Sequence, residues 1–130
     1  VGAGFAPLSS VRLLESRPGL STVDGVANGV GMRAAGSVTE VPVAGRGGVE
    51  ASARAVALNV TVVAARGAGF ASVFPCGGAV PATSNVNFGA GETVSNSVIT
   101  AMGVSGSVCV FTSADVDLVV DVNGQFPLGL

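Results

Sequence analysis

The side chains that could do chemistry in this chain are few, and their types restrict the reactions open to it. All six cationic residues are Arg, the eight acidic residues are Asp or Glu, and the sequence contains no His, Lys or Tyr. Arg keeps its proton at physiological pH, so the chain lacks the usual general bases and the partners that activate a serine. A glycosidase could work with two carboxylates, but it would need aromatic cleft walls, and the six Phe are typical of a core. We therefore expect no enzyme activity, no catalytic residues and no cofactor.

Arg17 and Asp121 are the two charged residues that most need a partner, because each lies near an end of a chain with only 11% charged residues. A charge in such an apolar domain usually has an opposite charge beside it. We predict a structural ion pair between Arg17 and Asp121 that joins the terminal strands. The alternative use of the acidic residues is a calcium site, but their spacing lacks the pattern of an EF-hand loop; this set comprises Asp24, Asp115, Asp117 and Asp121.

The two cysteines, Cys76 and Cys109, predict a disulfide bond. An even number of cysteines in a small Gly-rich domain without Lys indicates an oxidising compartment. On the loop-entropy model, closing this loop would stabilise the fold by roughly 3 to 4 kcal/mol. Two buried free thiols are the alternative, whereas a zinc site is disfavoured because no His is present to complete the ligand set.

The overall composition excludes some partners. The 130 residues are 48% hydrophobic and carry a net charge of -2, with no basic stripe and no Trp or Tyr on which bases could stack. We therefore expect no nucleic-acid partner. No run approaches the ~20 apolar residues that span a bilayer, so we do not expect a membrane-spanning protein.

Residues 54–64 show the clearest alternation in the chain and predict a central strand with four buried side chains on one face. Gly and Pro separate seven further strand candidates, and Pro42 fits only an edge strand or a bulge. Residues 20–36 predict a long loop with at most a short strand at 30–33. The chain is thus predicted to be all-β: an antiparallel β-sandwich, or a barrel-like variant, of about eight to ten strands with little or no helix, in one domain over residues 1–130. The buried face comprises Val56, Leu58, Val60 and Val62; the other candidates are residues 11–16, 37–44, 70–74, 84–88, 93–102, 107–112 and 117–126.

The same alternation assigns side chains to faces of the strands. Phe70, Phe74 and Cys76 share one face, which predicts that the first sulfur lies on the core side. In the last strand, Phe126 is predicted to point inward and Gln125 outward. Four asparagines occupy strand-like positions where Asn is disfavoured, so their amides are predicted to bond loop backbone, with a carbohydrate site as the alternative; these are Asn59, Asn85, Asn87 and Asn96.

Both ends of the chain carry recognisable motifs. Residues 5–17 read F-A-P-L-S-S-V-R-L-L-E-S-R, and residues 119–126 read V-V-D-V-N-G-Q-F. They resemble a secreted module of actinobacterial surface proteins that opens with F-x-P-L-x-P-x-R-L-L-D-T-R and closes with V-D-V-x-G-Y-F. L-N-V-T at 58–61, F-P-C at 74–76 and S-N-V-N-F at 84–88 resemble internal landmarks of that module, so the resemblance covers nearly the whole chain.

The departures from the motif are Ser10 for Pro, Glu15 and Ser16 for Asp-Thr, and Gln125 for Tyr. The resemblance implies a non-catalytic, exported domain that occurs beside hydrolases or in tandem, with a wall-associated or surface role. It implies no ligand-binding residue, because none is defined for the module.

Composition and resemblance together predict a non-catalytic extracellular structural module, a self-assembling subunit that forms a homo-oligomer or polymer. The reason is surplus apolar surface combined with a low charge that does little to keep copies apart. Residues 1–7 or 20–36 could add a strand to a neighbouring copy. The alternative is a carbohydrate- or cell-wall-binding module with cell-wall polysaccharide as partner, although the missing Trp and Tyr argue against it.

Overall fold

A computed structural model describes residues 4–128 of the chain. Within this range the backbone forms eight β-strands and a single three-residue 3₁₀ turn, Val104–Gly106. None of the helical structure in residues 4–128 is long and apolar enough to cross a membrane. The strands are β1 (Ala6–Glu15), β2 (Ser37–Pro42), β3 (Ala55–Val63), β4 (Gly69–Pro75), β5 (Val86–Phe88), β6 (Val94–Ala101), β7 (Ser107–Thr112) and β8 (Asp117–Phe126).

The strands form two four-stranded antiparallel sheets packed face to face. The first sheet has the order β1-β8-β3-β6 and the second has the order β2-β7-β4-β5. The chain changes sheet at every connection except that between β4 and β5. This is the strand order of a jelly roll, in which two Greek keys interlock and the first strand pairs with the last. The predicted antiparallel β-sandwich is confirmed, with eight strands.

The core lies between the sheets and consists mostly of Val, whose branched side chain packs well on a pleated surface. Burying one such side chain contributes roughly 1.5 to 3 kcal/mol, which is a large share of the stability of an average domain. Pro42 lies on β2, an edge strand, as predicted. The predicted buried face of β3 is also confirmed, since all four side chains are fully buried: Val56, Leu58, Val60 and Val62.

The disulfide between Cys76 and Cys109 is confirmed, with the two Cα atoms 5.0 Å apart. Its predicted position on the core side is wrong. Val108 and Val110 belong to the core, so Cys109 between them points to the outer face of the second sheet. Cys109 lies opposite Phe74 on β4, which places Phe74 on that outer face as well. The bond therefore ties the second sheet together from outside the core.

The residues between β1 and β2 form an irregular segment, as predicted, but this segment is bonded to its own domain. The amide of Val23 donates to the carbonyl of Arg12 on β1. The strand predicted at 30–33 reduces to one isolated bridge between Arg33 and Val116. These backbone bonds would have to break before the segment could pair with a neighbouring copy. The other segment predicted to pair with a neighbouring copy comprises residues 1–7. Residues 1–3 lie outside the described residues, and Ala6 and Pro7 belong to β1.

Arg46 holds this segment against β2. Its Nε donates to Oδ2 of Asp24 at 2.8 Å, and its Nη1 donates to the carbonyl of Pro42 at 2.6 Å. The hydrogen bond from Arg46 holds the pKa of Asp24 well below its usual range. The guanidinium of Arg46 thus ties the long connection between the two sheets to the end of β2.

Thr39 and Thr112 are buried on the core face of the second sheet, opposite Val110 and Ala71 respectively. Neither Oγ1 atom has a hydrogen-bond partner within residues 4–128. A buried hydroxyl without a partner costs about 1 to 3 kcal/mol. We expect Thr39→Val and Thr112→Val each to raise the free energy of unfolding by about 1 kcal/mol, measured by urea denaturation at an unchanged m value.

Thr22→Val is the matched control, because Thr22 is also buried but its Oγ1 donates to the carbonyl of Val26 at 2.6 Å. This variant should lose stability. If Thr39→Val and Thr112→Val lost as much free energy of unfolding as Thr22→Val, the two core hydroxyls would have to form hydrogen bonds in solution.

Candidate functional site

The outer face of the first sheet is shaped by an extra residue in β1. In the pairing of β1 with β8, Arg12 lies opposite Asp121 and Leu14 lies opposite Val120, the next residue of β8. Leu13 therefore has no partner and forms a one-residue bulge. Leu13 and Leu14 are both buried in the core as a result. The bulge therefore places Arg12 and Glu15, three positions apart, on the same outer face.

Glu15 is the centre of a charge network on this face. Its side chain is fully buried, and its carboxylate accepts hydrogen bonds from Nη1 of Arg12 at 3.0 Å and Nε of Arg17 at 2.9 Å. The hydrogen bond from Arg17 outweighs the effect of burial and lowers the pKa of Glu15. Arg12 also donates from Nε to Oδ1 of Asp121 at 2.9 Å. The network fixes β1 to β8 from outside the core.

The predicted ion pair between Arg17 and Asp121 is wrong, although both residues belong to this network. Arg17 pairs with Glu15, and Asp121 pairs with Arg12. The reason is register: Arg12 lies directly opposite Asp121, whereas Arg17 lies beyond the end of β1. An ion pair does join the terminal strands, but Arg12 supplies its cation.

A row of polar residues crosses the first sheet at the level of Asp121. Asp121 lies opposite Arg12 on β1 and opposite Asn59 on β3. Asn59 in turn lies opposite Ser97 on the edge strand β6. We call Arg12, Asp121, Asn59 and Ser97 the polar row. The row presents a guanidinium, a carboxylate, an amide and a hydroxyl side by side across four strands.

The four asparagines at strand-like positions differ in their hydrogen-bond partners. Asn96 bonds loop backbone as predicted, since its Nδ2 donates to the carbonyl of Asn85 at 2.8 Å. Asn85 bonds the backbone of a strand instead, since its Oδ1 accepts from the amide of Val73 in β4 at 2.7 Å. Asn87 accepts from a serine hydroxyl instead, so the prediction is wrong there. The half-buried amide of Asn59 makes no hydrogen bond among residues 4–128, so it can bond to a ligand or to another protein.

A second extra residue, Asn123 in β8, reverses the alternation near the end of that strand. Against β3, the pairing skips Asn123 between Val122 and Gly124. Gln125 therefore faces the core, where its Oε1 accepts from the amide of Glu50 at 2.9 Å. The prediction that Phe126 points inward and Gln125 outward is wrong for this reason.

Phe126 and Phe5 form one wall of an open groove on this face, with ring centroids 5.4 Å apart. The Phe5 ring lies so close to Gly124 that any Cβ there would collide with it. Ile99 of β6, which is 66% exposed, stands across from them beside Ala57. The groove has a volume of about 600 Å³. We define it by Phe5, Ala57, Ser97, Ile99, Asn123 and Phe126.

The outer face of the second sheet carries a separate apolar patch. Val38 is 47% exposed and lies opposite Phe111, whose ring centroid is 5.8 Å from that of Phe70. We call Val38, Phe70 and Phe111 the patch. The groove and the patch lie on the two opposite outer faces of the sandwich. Of the six Phe, only Phe88 belongs to the core cluster, so the expectation that all six are core residues is wrong.

The acidic residues do not gather around a cation. No group of three or more His, Cys, Asp or Glu within residues 4–128 could hold a metal ion. Each Asp considered for calcium has its own partner instead. The pairs are Asp24 with Arg46, Asp115 with the amide of Ala35, Asp117 with Arg66, and Asp121 with Arg12.

Sequence reasoning missed Arg12 and Glu15 as ion partners and the residues that line the groove. One signal for the first pair was present: two adjacent Leu between the charges, in a segment that otherwise alternates, indicate a bulge. For Ile99 and Phe126 the residue type indicated burial, and no local feature contradicted it. The groove offers apolar contacts and, in addition, a few amide and hydroxyl groups that can form hydrogen bonds.

Comparison of the chain with family models, with curated proteins and with solved structures gave no match. The jelly roll itself is shared by capsid subunits, lectins and cupins, so the fold does not decide between assembly, sugar binding and catalysis. The function has to be inferred from the two outer faces.

The Glu15 network makes a testable contribution to stability. We expect Glu15→Gln to lower the free energy of unfolding at pH 7 by about 2 kcal/mol, because hydrogen bonds to a charged group are lost. The pKa of Glu15 is lowered on folding, so its stabilisation is present above the ordinary value of 4.5 and is lost as the pH falls through the folded value. In urea titrations between pH 3 and pH 7, the difference in the free energy of unfolding between Glu15→Gln and wild type should shrink below about pH 4.5.

Glu50→Gln serves as the control, because Glu50 is exposed and its carboxylate has no ion pair within residues 4–128. Its pH profile should follow wild type. If the stability of Glu15→Gln also ran parallel to that of wild type down to pH 3, the ionised carboxylate of Glu15 would not be the stabilising group.

Proposed function

We propose that this protein is a non-catalytic extracellular structural module that associates with copies of itself, as a subunit of a surface or extracellular assembly. The observation that carries the proposal is the presence of two apolar surfaces on opposite faces of one sandwich. Ile99 and Phe5 in the groove are 66% and 51% exposed, and Val38 and Phe70 in the patch are 47% and 37% exposed. Exposed apolar surface of this kind marks contact sites between proteins.

The distribution of charge supports association. The net charge is only -2, so the electrostatic repulsion between copies is weak. Four of the six Arg are engaged in internal ion pairs, and a fifth, Arg33, bonds backbone carbonyls. Few charged side chains are left to keep the two outer faces hydrated.

The extracellular location is supported by the disulfide and by the terminal motifs. A disulfide forms and persists in oxidising compartments and is rare in the cytosol. The resemblance of residues 5–17 and 119–126 to an exported module points to the same location.

Association is tested by light scattering and sedimentation equilibrium from micromolar to millimolar concentration. We expect the mean mass of the wild type to rise with concentration and Ile99→Asp to shift the onset at least tenfold higher, because it puts a charge into the apolar groove. Val80→Asp is the control, since Val80 is 42% exposed but belongs to neither surface. A wild-type mass that stayed monomeric up to millimolar concentration would rule the proposal out.

A carbohydrate- or wall-binding module is the second candidate, and a specific observation favours it. Asn123 lines the groove together with Phe5 and Phe126. The polar row shares Ser97 with the groove, and Asn59 lies on the same face of β3 two residues from Ala57. Sugars are bound by such a combination, with hydrogen bonds to hydroxyl groups and an aromatic ring against the apolar face of the pyranose.

The two candidates separate in a pull-down on insoluble peptidoglycan and on insoluble polysaccharide. Retention of monomeric protein that Asn59→Ala and Phe5→Ala both reduce would favour sugar binding. Sedimentation of polymer in the absence of any glycan, unchanged by Asn59→Ala, would favour self-association.

A further inference from the structure

Strand β6 lies at an edge of the first sheet, so one of its two sides pairs with β3 and the other side faces away from the sheet. The amide of Met102, directly after β6, donates to the carbonyl of Arg54, directly before β3, at 2.9 Å. Bonding residues alternate along an antiparallel ladder, so the even-numbered residues of β6 bond β3 and the odd-numbered ones direct their backbone groups outward. All four outward-facing residues are exposed, and we call their backbone amides and carbonyls the β6 edge; they are Ser95, Ser97, Ile99 and Ala101.

Most groups of the β6 edge have no hydrogen-bond partner among residues 4–128. The exceptions bond to side chains of β6 itself. Oδ1 of Asn96 accepts from the amide of Ser97 at 3.1 Å, and Oγ1 of Thr100 donates to the carbonyl of Ala101 at 3.2 Å. Both contacts join sequence neighbours, so a partner strand can replace them without opening any other part of the fold. The β6 edge is thus a row of donors and acceptors that another strand can complete.

The other three sheet edges each carry a feature that hinders strand pairing. Residues 20–36 cover the free side of β1, because they donate backbone hydrogen bonds to Arg12 and Glu15. The edge strand β2 contains Pro42 and the charged Glu40, and β5 has only three residues. By contrast, β6 has eight residues without a charge, a Pro or a Gly, and it pairs with β3 without a register shift. It is therefore the edge on which a further strand fits best.

The side chains along the β6 edge suit a second copy of the same strand. An added strand needs a free edge of its own, and within residues 4–128 the unhindered one is again β6. In an antiparallel pair centred on Val98, Ser95 lies opposite Ala101 and Ser97 lies opposite Ile99. Small side chains thus face each other or face Ile99, and no charges meet. Ile99 is 66% exposed on the outer face and gains a neighbour in this pair.

We propose that β6 pairs antiparallel with β6 of a second copy, related by a two-fold axis at Val98, so that the two first sheets become one continuous sheet. This inference rests on the proposed self-association and specifies its contact. The register engages every group of the β6 edge, because all four outward-facing residues then have a hydrogen-bonding partner residue. The two Ile99 side chains become diagonal neighbours, which is within reach of long side chains. Such a contact is isologous and closes as a dimer.

The first test removes one amide of the β6 edge from the full chain. Ser95→Pro deletes the N–H that would donate to Ala101 of the second copy, and by symmetry the dimer loses two hydrogen bonds. We expect sedimentation equilibrium to show association about tenfold weaker than that of wild type, or more. Pro is tolerated on an edge strand where its missing N–H would face solvent, and thermal unfolding shows that the variant is folded.

Ser95→Ala is the matched control, because it removes the same exposed side chain and keeps the N–H. It should associate within about twofold of wild type.

The second test reads the register by disulfide crosslinking between Ser97→Cys and Ile99→Cys. When the two variants are mixed, the new thiols lie opposite each other in a hydrogen-bonded pair with Cα atoms about 5.5 Å apart, which a disulfide can span. Within either variant alone the two new thiols are diagonal, with a separation of about 7 to 8 Å between their positions, which is too far. Mild oxidation should therefore give a covalent dimer on a non-reducing gel in the mixture, and little in either variant alone.

The outcomes separate the two proposals. If wild type stays monomeric up to millimolar concentration, the proposed function fails. If wild type associates but Ser95→Pro matches Ser95→Ala, the association is real and the pairing of β6 with β6 is wrong. The pairing is equally wrong if the mixture of Ser97→Cys and Ile99→Cys gives no more covalent dimer than each variant alone, and this result decides the question even where Ser95→Pro does not fold.

Discussion

Paired β-strands place their side chains on alternate faces, and in this protein the inserted residues Leu13 and Asn123 interrupt that rule at places where the outer surface is built. Leu13 allows two adjacent Leu to enter the core while Arg12 and Glu15 share the outer face. Asn123 reverses the end of β8 and sends Phe126 outward. Without these two bulges the first sheet would lack both its charge network and one wall of its groove.

The charged residues of this protein mainly hold its connections and terminal strands together. Glu15 is buried with two guanidinium partners, and Arg46 fixes the long segment between the sheets. A buried ion pair contributes little net stability against an apolar replacement, but removing one partner is costly. The network therefore fixes one register of β1 against β8.

Much of the fold could be predicted from the sequence, because burial and alternation are local signals. The bounds of β7 and β8 and the buried face of β3 follow from apolar spacing alone. The disulfide could be predicted from the number of cysteines, but the face of the sheet on which it lies could not. Alternation tells which residues share a face and not which face is the core. The partner of Asp121 depends on the register between β1 and β8, about a hundred residues apart, which no local pattern encodes.

The pairing of the first strand with the last has a mechanical consequence. Ala6 lies opposite Gln125, so both termini leave the same end of the first sheet. Tension applied through the two ends would peel the β1–β8 ladder apart one rung at a time, because the rungs would be loaded in series rather than sheared together. Phe5 and Phe126 would part first, so stretching would dismantle the groove while the valine core was still closed.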